Sequence, residues 1–111
     1  MNTLSLTQEI IQLHADLCSA IADPTRLLLL YALSEKPCTV NELTSELNTR
    51  QSTTSRHLKV LREHGLVRFN RQGQSVEYSL SDPRIIEALD TLRTVLRDTL
   101  SNRANLMVET E

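Results

Sequence analysis

The chain has 111 residues, 40% of them hydrophobic and only 3% aromatic, with a formal net charge of −2. Such a length supports one small domain with an aliphatic core of modest size, which burial of leucine stripes against a second copy would enlarge. It contains no run of 18 apolar residues and no basic-then-apolar leader, which excludes a membrane partner and predicts a cytoplasmic protein whose Cys18 and Cys38 are thiols rather than a structural disulfide.

From Leu6, the residues Ile10, Leu13, Leu17 and Ile21 recur at helical spacing and predict a first helix over about 6–22. Asp23 then reads as an N-cap with Pro24 at the first helical position. The helix it opens, to about Ser34, is apolar almost all round through Leu27 to Leu30, Tyr31 and Leu33, and so belongs at the centre of the domain. Thr39-Val40-Asn41-Glu42 has the form of a capping box, so a third helix starts at about Val40 with Leu43 and Leu47 on its apolar edge. The polar run Asn48-Thr49-Arg50 breaks that pattern before a fourth helix begins near Gln51, and two helices joined by so brief a turn cross steeply.

On a helical wheel, Thr54, His57, Leu58, Val60 and Leu61 fill one arc of the fourth helix, while Ser52, Ser55, Arg56 and Lys59 fill the other, flanked by Gln51 and Arg62. Gly65 stands where a left-handed residue closes a helix, with Leu66 placed to pack back on the last turn. Beyond it Val67 and Phe69 alternate with Leu66 and Arg68, Arg71-Gln72-Gly73-Gln74 supplies a turn, and Val76, Tyr78 and Leu80 alternate with Ser75, Glu77 and Ser79: a hairpin over about 66–80 with a basic tip. Ser81-Asp82-Pro83 repeats the cap-then-proline signal, and Ile85, Ile86, Leu89, Leu92, Leu96 and Leu100 mark a last helix over about 83–102. Whether Leu106, Met107 and Val108 continue it is left open by their pattern.

Charge is distributed unevenly along these elements. Residues 1–49 carry net −4 and residues 75–111 net −3, whereas residues 50–74 hold Arg50, Arg56, Lys59, Arg62, Arg68 and Arg71 against Glu63 alone, net +5. A solvated surface would mix the signs; a block of one sign on the polar arc of a helix and the following hairpin is the footprint expected where phosphates dock.

The segment SRHLKVLREHGLV followed by R-x-G-Q-x-V-x-Y-x-L, together with the upstream Ala20-Ile21-Ala22-Asp23-Pro24-Thr25-Arg26-Leu27, resembles the ArsR/SmtB family of bacterial winged helix-turn-helix repressors over nearly the whole chain. The resemblance implies a mainly α fold with a small β-hairpin, in the order α-α-α-α-β-β-α, filling residues 1–111 as a single domain with its helix-turn-helix at about 40–64. It also implies that the first and last helices form a homodimer interface. Their stripes, Ile10, Leu13 and Leu17 with Leu89, Leu92 and Leu96, exceed what one such domain can cover, so physical reasoning and resemblance agree.

The expected function is a homodimeric, sequence-specific DNA-binding regulator, a repressor on a palindromic operator in double-stranded DNA. Gln51, Ser52, Ser55 and Arg56, on the first turns of the fourth helix, are the groups expected at base edges or the nearby backbone. Lys59, Arg62 and Arg50 are expected on phosphates, and Arg68, Arg71, Gln72 and Gln74 are presented by the hairpin, as a wing. His57, inside the apolar arc, is expected to be packed and to hold a backbone carbonyl; His14 and His64 lie on separate elements without a partner at helical spacing. No HExxH, CxxC, nucleotide-binding glycine loop or Gly-x-Ser-x-Gly occurs, so neither an enzyme nor a cofactor is indicated.

Metal-binding relatives in the family place ligands at positions that here hold Thr39 and Asn41, or Asp82, Arg84, Val95 and Asp98, sets too poor in thiolate and imidazole for a borderline-soft metal. No metal site is therefore expected. Persulfide-sensing relatives need a cysteine in the last helix, and none follows Cys38. An alternative within the same fold is a repressor responsive to oxidants or trivalent arsenic through Cys18 and Cys38, in which Cys18 is expected buried as a small hydrophobe and Cys38, after a proline, exposed. An alternative of another class is a winged-helix protein-interaction module without DNA binding, against which the +5 block stands. The effector is not legible.

Overall fold

The computed structural model describes residues 5–109, with side chains through residue 105. Helix α1 runs Leu6–Ile21, α-helical over Leu6–Leu13 and Ser19–Ile21 with a π-helical stretch, His14–Cys18, between them. It is followed by α2 (Pro24–Glu35), β1 (Cys38–Thr39), α3 (Val40–Leu47), α4 (Gln51–Glu63), β2 (Val67–Gln72), β3 (Ser75–Leu80) and α5 (Arg84–Glu109). This is the expected order with one addition. Cys38 and Thr39, the two residues before the first residue of α3, pair with β3, Cys38 opposite Tyr78 and Thr39 opposite Glu77, so the sheet has three antiparallel strands in the order β1-β3-β2. A two-residue strand has too little alternation to be read from sequence.

Local chemistry accounts for the boundaries. Asp23 Oδ1 accepts from the backbone N–H groups of Thr25 (2.8 Å) and Arg26 (3.2 Å), opening α2. Thr39 and Glu42 satisfy each other's backbone N–H at 3.2 and 2.9 Å, opening α3. Ser5 and Gln8 form a second capping box on α1, an S-x-x-Q signal that the apolar spacing alone did not pick out. Gly65, at φ +77°, closes α4: its N–H donates to Arg62 O, and Leu66 N–H reaches back to Leu61 O at 2.9 Å, burying the Leu66 side chain as expected. The hairpin is tighter than Arg71–Gln74: Arg71 and Gln72 stay in β2, opposite Val76 and Ser75, and only Gly73 and Gln74 turn, Gly73 supplying φ +65°.

The core is aliphatic and centres on α2. Leu29, Leu30 and Leu33 meet Leu43 of α3, Leu58 and Leu61 of α4, Leu66 and Val67 at the start of the hairpin, and Leu89 of α5. Helix α2 is not buried all round, however, since Leu28 is exposed. It faces an open groove of about 670 Å³ between α2 and α5, lined by Ile21, Leu27, Leu28, Leu92 and Leu96, with Tyr31 and Arg93 also on its wall. There the Tyr31 hydroxyl donates to Asp90 Oδ1 at 2.6 Å, Arg93 donates to the same oxygen at 3.1 Å, and the Arg93 guanidinium lies over the Tyr31 ring.

A compact chain of this length would have a radius of gyration of about 13 Å, whereas this one has 17.5 Å. The difference lies in helices that project from the core, α5 continuing past residue 102 to Glu109 with no glycine or proline to stop it. Residues 110–111, the end of the tail left open by sequence, lie outside the described residues. Among the described residues no single helix is long and apolar enough to cross a membrane.

Candidate nucleic-acid interface

The turn between α3 and α4 is fastened by hydroxyls. Asn48 takes the left-handed conformation (φ 52°, ψ 49°) and ends α3, its N–H on Ser45 O and the N–H of Thr49 on Thr44 O. Thr54, on the first turns of α4 and fully buried, lies 3.0 Å from the Thr44 hydroxyl and 2.7 Å from the Thr49 hydroxyl, and its own Oγ1 donates to Arg50 O at 3.2 Å. This cluster sets how steeply the two helices cross, and with it the face that α4 turns outward.

That face carries the expected residues. On α4 and its N-cap, Arg50, Gln51, Ser52, Ser55, Arg56, Lys59 and Arg62 are all exposed, while Thr54, His57, Leu58 and Leu61 are buried on the opposite side. Arg68, Arg71, Gln72 and Gln74 are exposed on the hairpin. Among the described residues none of the six basic side chains of the block forms an ion pair; the four salt bridges lie elsewhere. Arg50 gives α4 no side-chain cap, so the first backbone N–H groups of α4 receive no help from their N-cap residue. Arg62 is committed in part: its guanidinium lies 5.0 Å from the centroid of Phe69, which in turn tilts against Tyr78 at 6.0 Å. Phe69 is exposed and belongs to this surface stack on the hairpin, outside the core.

The histidine in the apolar arc of α4 is packed, as expected, but holds no carbonyl. His57, 7% exposed, receives at Nδ1 an N–H from Arg26 Nη1 (3.2 Å), and its Nε2 is 3.9 Å from Asp23 Oδ1. Burial lowers its pKa, Asp23 pulls it back up, and Arg26 and Arg56 lower it further, for a net shift downward from 6.5. Arg26 also donates to the carbonyls of Ser19 and Ala20 at the end of α1. An arginine in the first turn of an otherwise apolar helix was the available signal for this contact.

Both cysteine assignments are reversed. Cys38 is 1% exposed, because its place in β1 points it into the core, and burial with Glu42 and Glu46 nearby pushes its thiol above the ordinary value despite Lys36. Cys18 is exposed, on a face of α1 that the chain's own core does not reach. Of the stripe residues, Leu89 is buried within its own chain and Leu17 packs partly against the core, since both lie where their helices cross the body. Ile10, Leu13, Leu92 (60% exposed) and Leu96 (56%) remain uncovered. Among the positions where the resemblance would place metal ligands, Asp82, just before α5, is held by Arg84 at 2.7–3.1 Å and caps α5 through the Arg84 N–H, and these bonds lower its pKa to about 2. Among the described residues no three of His, Cys, Asp and Glu gather in a metal-binding group.

The family model described as "Bacterial regulatory protein, arsR family" matches residues 23–68, the stretch from the α2 cap to the start of the hairpin. Over a longer span, the chain is 33% identical across 102 residues to the uncharacterized HTH-type transcriptional regulator Rv0081 of Mycobacterium tuberculosis, covering 91% of this chain and 90% of that one. The chain belongs to the arsR family. The crystal structure of Rv0081 superposes with a TM-score of 0.77 at 35% identity, covering 86% of this arsR-family chain and 96% of that one. Two further relatives are the "Transcriptional repressor SmtB homolog" of Synechocystis (37% identity over 75 residues, 68% of this chain) and the HTH-type transcriptional regulator NmtR of M. tuberculosis (40% over 76 residues, 68% of this chain). This arsR-family chain spans 57% and 63% of those two relatives' lengths.

Proposed function

We propose that the chain acts as a homodimeric transcriptional repressor that occupies a palindromic DNA operator, with α4 in the major groove and the β2–β3 hairpin as a wing. The observation that carries this reading is the coincidence on one surface of eleven exposed hydrogen-bonding or cationic side chains and a +5 charge block whose members have no acidic partner among the described residues. Gln51, Ser52, Ser55 and Arg56 address base edges; Arg50, Lys59 and Arg62 address phosphates; Arg68, Arg71, Gln72 and Gln74 reach the backbone or minor groove from the wing. The free stripe of Ile10, Leu13, Leu92 and Leu96 supports pairing with a second copy, in the compartment where the DNA is, the cytoplasm.

The engagement of Asp82 by Arg84 supports a regulator that does not read zinc through its last helix. Burial of Cys38 disfavours the thiol-responsive alternative, because a thiolate there is both inaccessible and costly.

The test is selection of a duplex from a random library by the wild-type protein, followed by titrations of variants on that duplex and on random DNA. Arg56→Ala is expected to lose about 1–3 kcal/mol more on the selected duplex than on random DNA. Lys59→Ala weakens both alike and flattens the salt dependence. Equal losses for Arg56→Ala on both duplexes remove it from base reading, and failure to select any sequence refutes the function.

A further inference from the structure

One side chain spans the three helices that such a regulator must keep in register. Arg26, in the first turn of α2, donates Nε to Ala20 O and Nη2 to Ser19 O (3.4 Å), two carbonyls of the last turn of α1, and donates Nη1 to His57 Nδ1 (3.2 Å) on the inner face of α4. The carbonyls at the C-terminal end of a helix lack intrahelical partners and carry partial negative charge, so a guanidinium there satisfies them and leaves one fork free to point elsewhere. A planar fork sends several fixed donors in separate directions and so serves both; a lysine ammonium offers its three donors from a single point. Asp23, which caps α2, holds the other side of the same imidazole, Nε2 facing its Oδ1 at 3.9 Å. The outward face of α4, where Ser52, Ser55, Arg56 and Lys59 lie, is therefore set in rotation by what His57 holds on the inward face.

We infer that Arg26 is a positioning residue for DNA reading, tying the end of the α1 dimer helix to the recognition helix through the unprotonated Nδ1 of His57. This rests on the function proposed above. The bond requires an imidazole that accepts at Nδ1: once protonated, the ring presents a donor and a positive charge to a guanidinium, and the tie is lost. Among the described residues, the charged groups that face His57 are Asp23 and Arg26 from the start of α2 and Arg56 on its own helix, two cations against one carboxylate. Acid is therefore expected to loosen α4 from α1. The direction is diagnostic, because acidification makes the protein more positive and by charge alone would tighten its hold on phosphates.

The experiment measures binding of the full chain to the duplex selected at about pH 7.5, by fluorescence anisotropy at fixed ionic strength down to about pH 5.5, for wild type, Arg26→Lys, Arg26→Gln, His57→Asn and a His14→Gln/His64→Gln control. Circular dichroism and sedimentation check fold and assembly. Wild type and the control are expected to lose affinity by about fivefold or more on acidification, a coupling in the range that linked sites show. His57→Asn, whose side-chain carbonyl can accept where Nδ1 did but cannot titrate, is expected to show an affinity that stays flat across the range. Arg26→Lys and Arg26→Gln, folded and assembled as wild type, are expected to bind about fivefold or more weakly at the upper pH and to lose the acid response. Retained affinity in both Arg26 variants, a wild-type affinity that rises or stays level in acid, or an acid response that survives in His57→Asn each overturns the inference. Should the Arg26 variants not fold, His57→Asn and the direction of the wild-type profile decide it alone. Failure of wild type to select any duplex refutes the proposed function instead.

Discussion

Replacing Thr54 with valine tests whether the hydroxyl cluster holds the turn before α4. Valine keeps the shape of the side chain and removes only its oxygen, which in the native chain accepts from Thr44 at 3.0 Å, bonds Thr49 at 2.7 Å and donates to Arg50 O at 3.2 Å. Each such bond contributes a net of about 0.5–1.5 kcal/mol, and a buried partner left without one costs about 1–3 kcal/mol. The partners are not all stranded: Thr44 and Thr49 are only half-buried, so water reaches them, and Thr49 also lies 3.3 Å from Arg50 O. With water and this second acceptor offsetting part of the loss, the expected destabilisation is about 1–3 kcal/mol rather than the sum of three bonds. Urea unfolding at matched protomer concentration measures it, and a double-mutant cycle with Thr44→Val isolates the pair. A Thr54→Val protein within about 0.5 kcal/mol of wild type, the range of an inconsequential surface change, would refute the assignment. So would strict additivity with Thr44→Val.

Other outcomes follow from the same structure. The proposed dimer is expected to give way to monomer in sedimentation for Leu92→Glu and for Leu96→Glu, since each removes burial worth about 1.5–3 kcal/mol and adds a charge to desolvate. Cys38 is expected to resist alkylation by iodoacetamide in the native protein and to react in urea, because its thiol is both buried and held above its ordinary pKa; mass spectrometry of the labelled peptides reads this. The fold favours neutral His57, so the unfolded chain binds the proton more readily: its contribution to stability is present above the ordinary value of 6.5 and is lost as pH falls below it toward the lower folded value. Urea midpoints measured across that range should therefore decline toward acid in wild type and decline less in His57→Asn. Zinc, nickel and cobalt at stoichiometric levels are expected to leave the affinity for DNA unchanged; zinc-dependent release would show that donors other than Asp82 complete a site.

Much of the fold was legible because its signals are local. Asp23 before Pro24, Thr39 with Glu42, Gly65 before Leu66 and the apolar arc of α4 each act within one turn of helix, where the chain's neighbours in sequence are also its neighbours in space. The charge block was legible for a related reason: exposed cations declare themselves by composition, and their place on α4 and the hairpin follows from helical and strand periodicity. Tertiary structure alone decided the rest. Cys38 follows a proline and so reads as loop, yet pairing with Tyr78 across β1 and β3 turns it into the core, while Cys18, beside an apolar stripe, stays in solvent because none of the described residues covers that face of α1. The same holds for Leu89, which its own core covers, and for Leu92, one turn on, which it does not: the stripe is continuous in sequence, but the body of the domain ends between them. Arg26 meets His57 across 31 positions of chain, a separation over which no periodicity carries information, because the meeting depends on how α2 and α4 pack and not on what either helix would do alone.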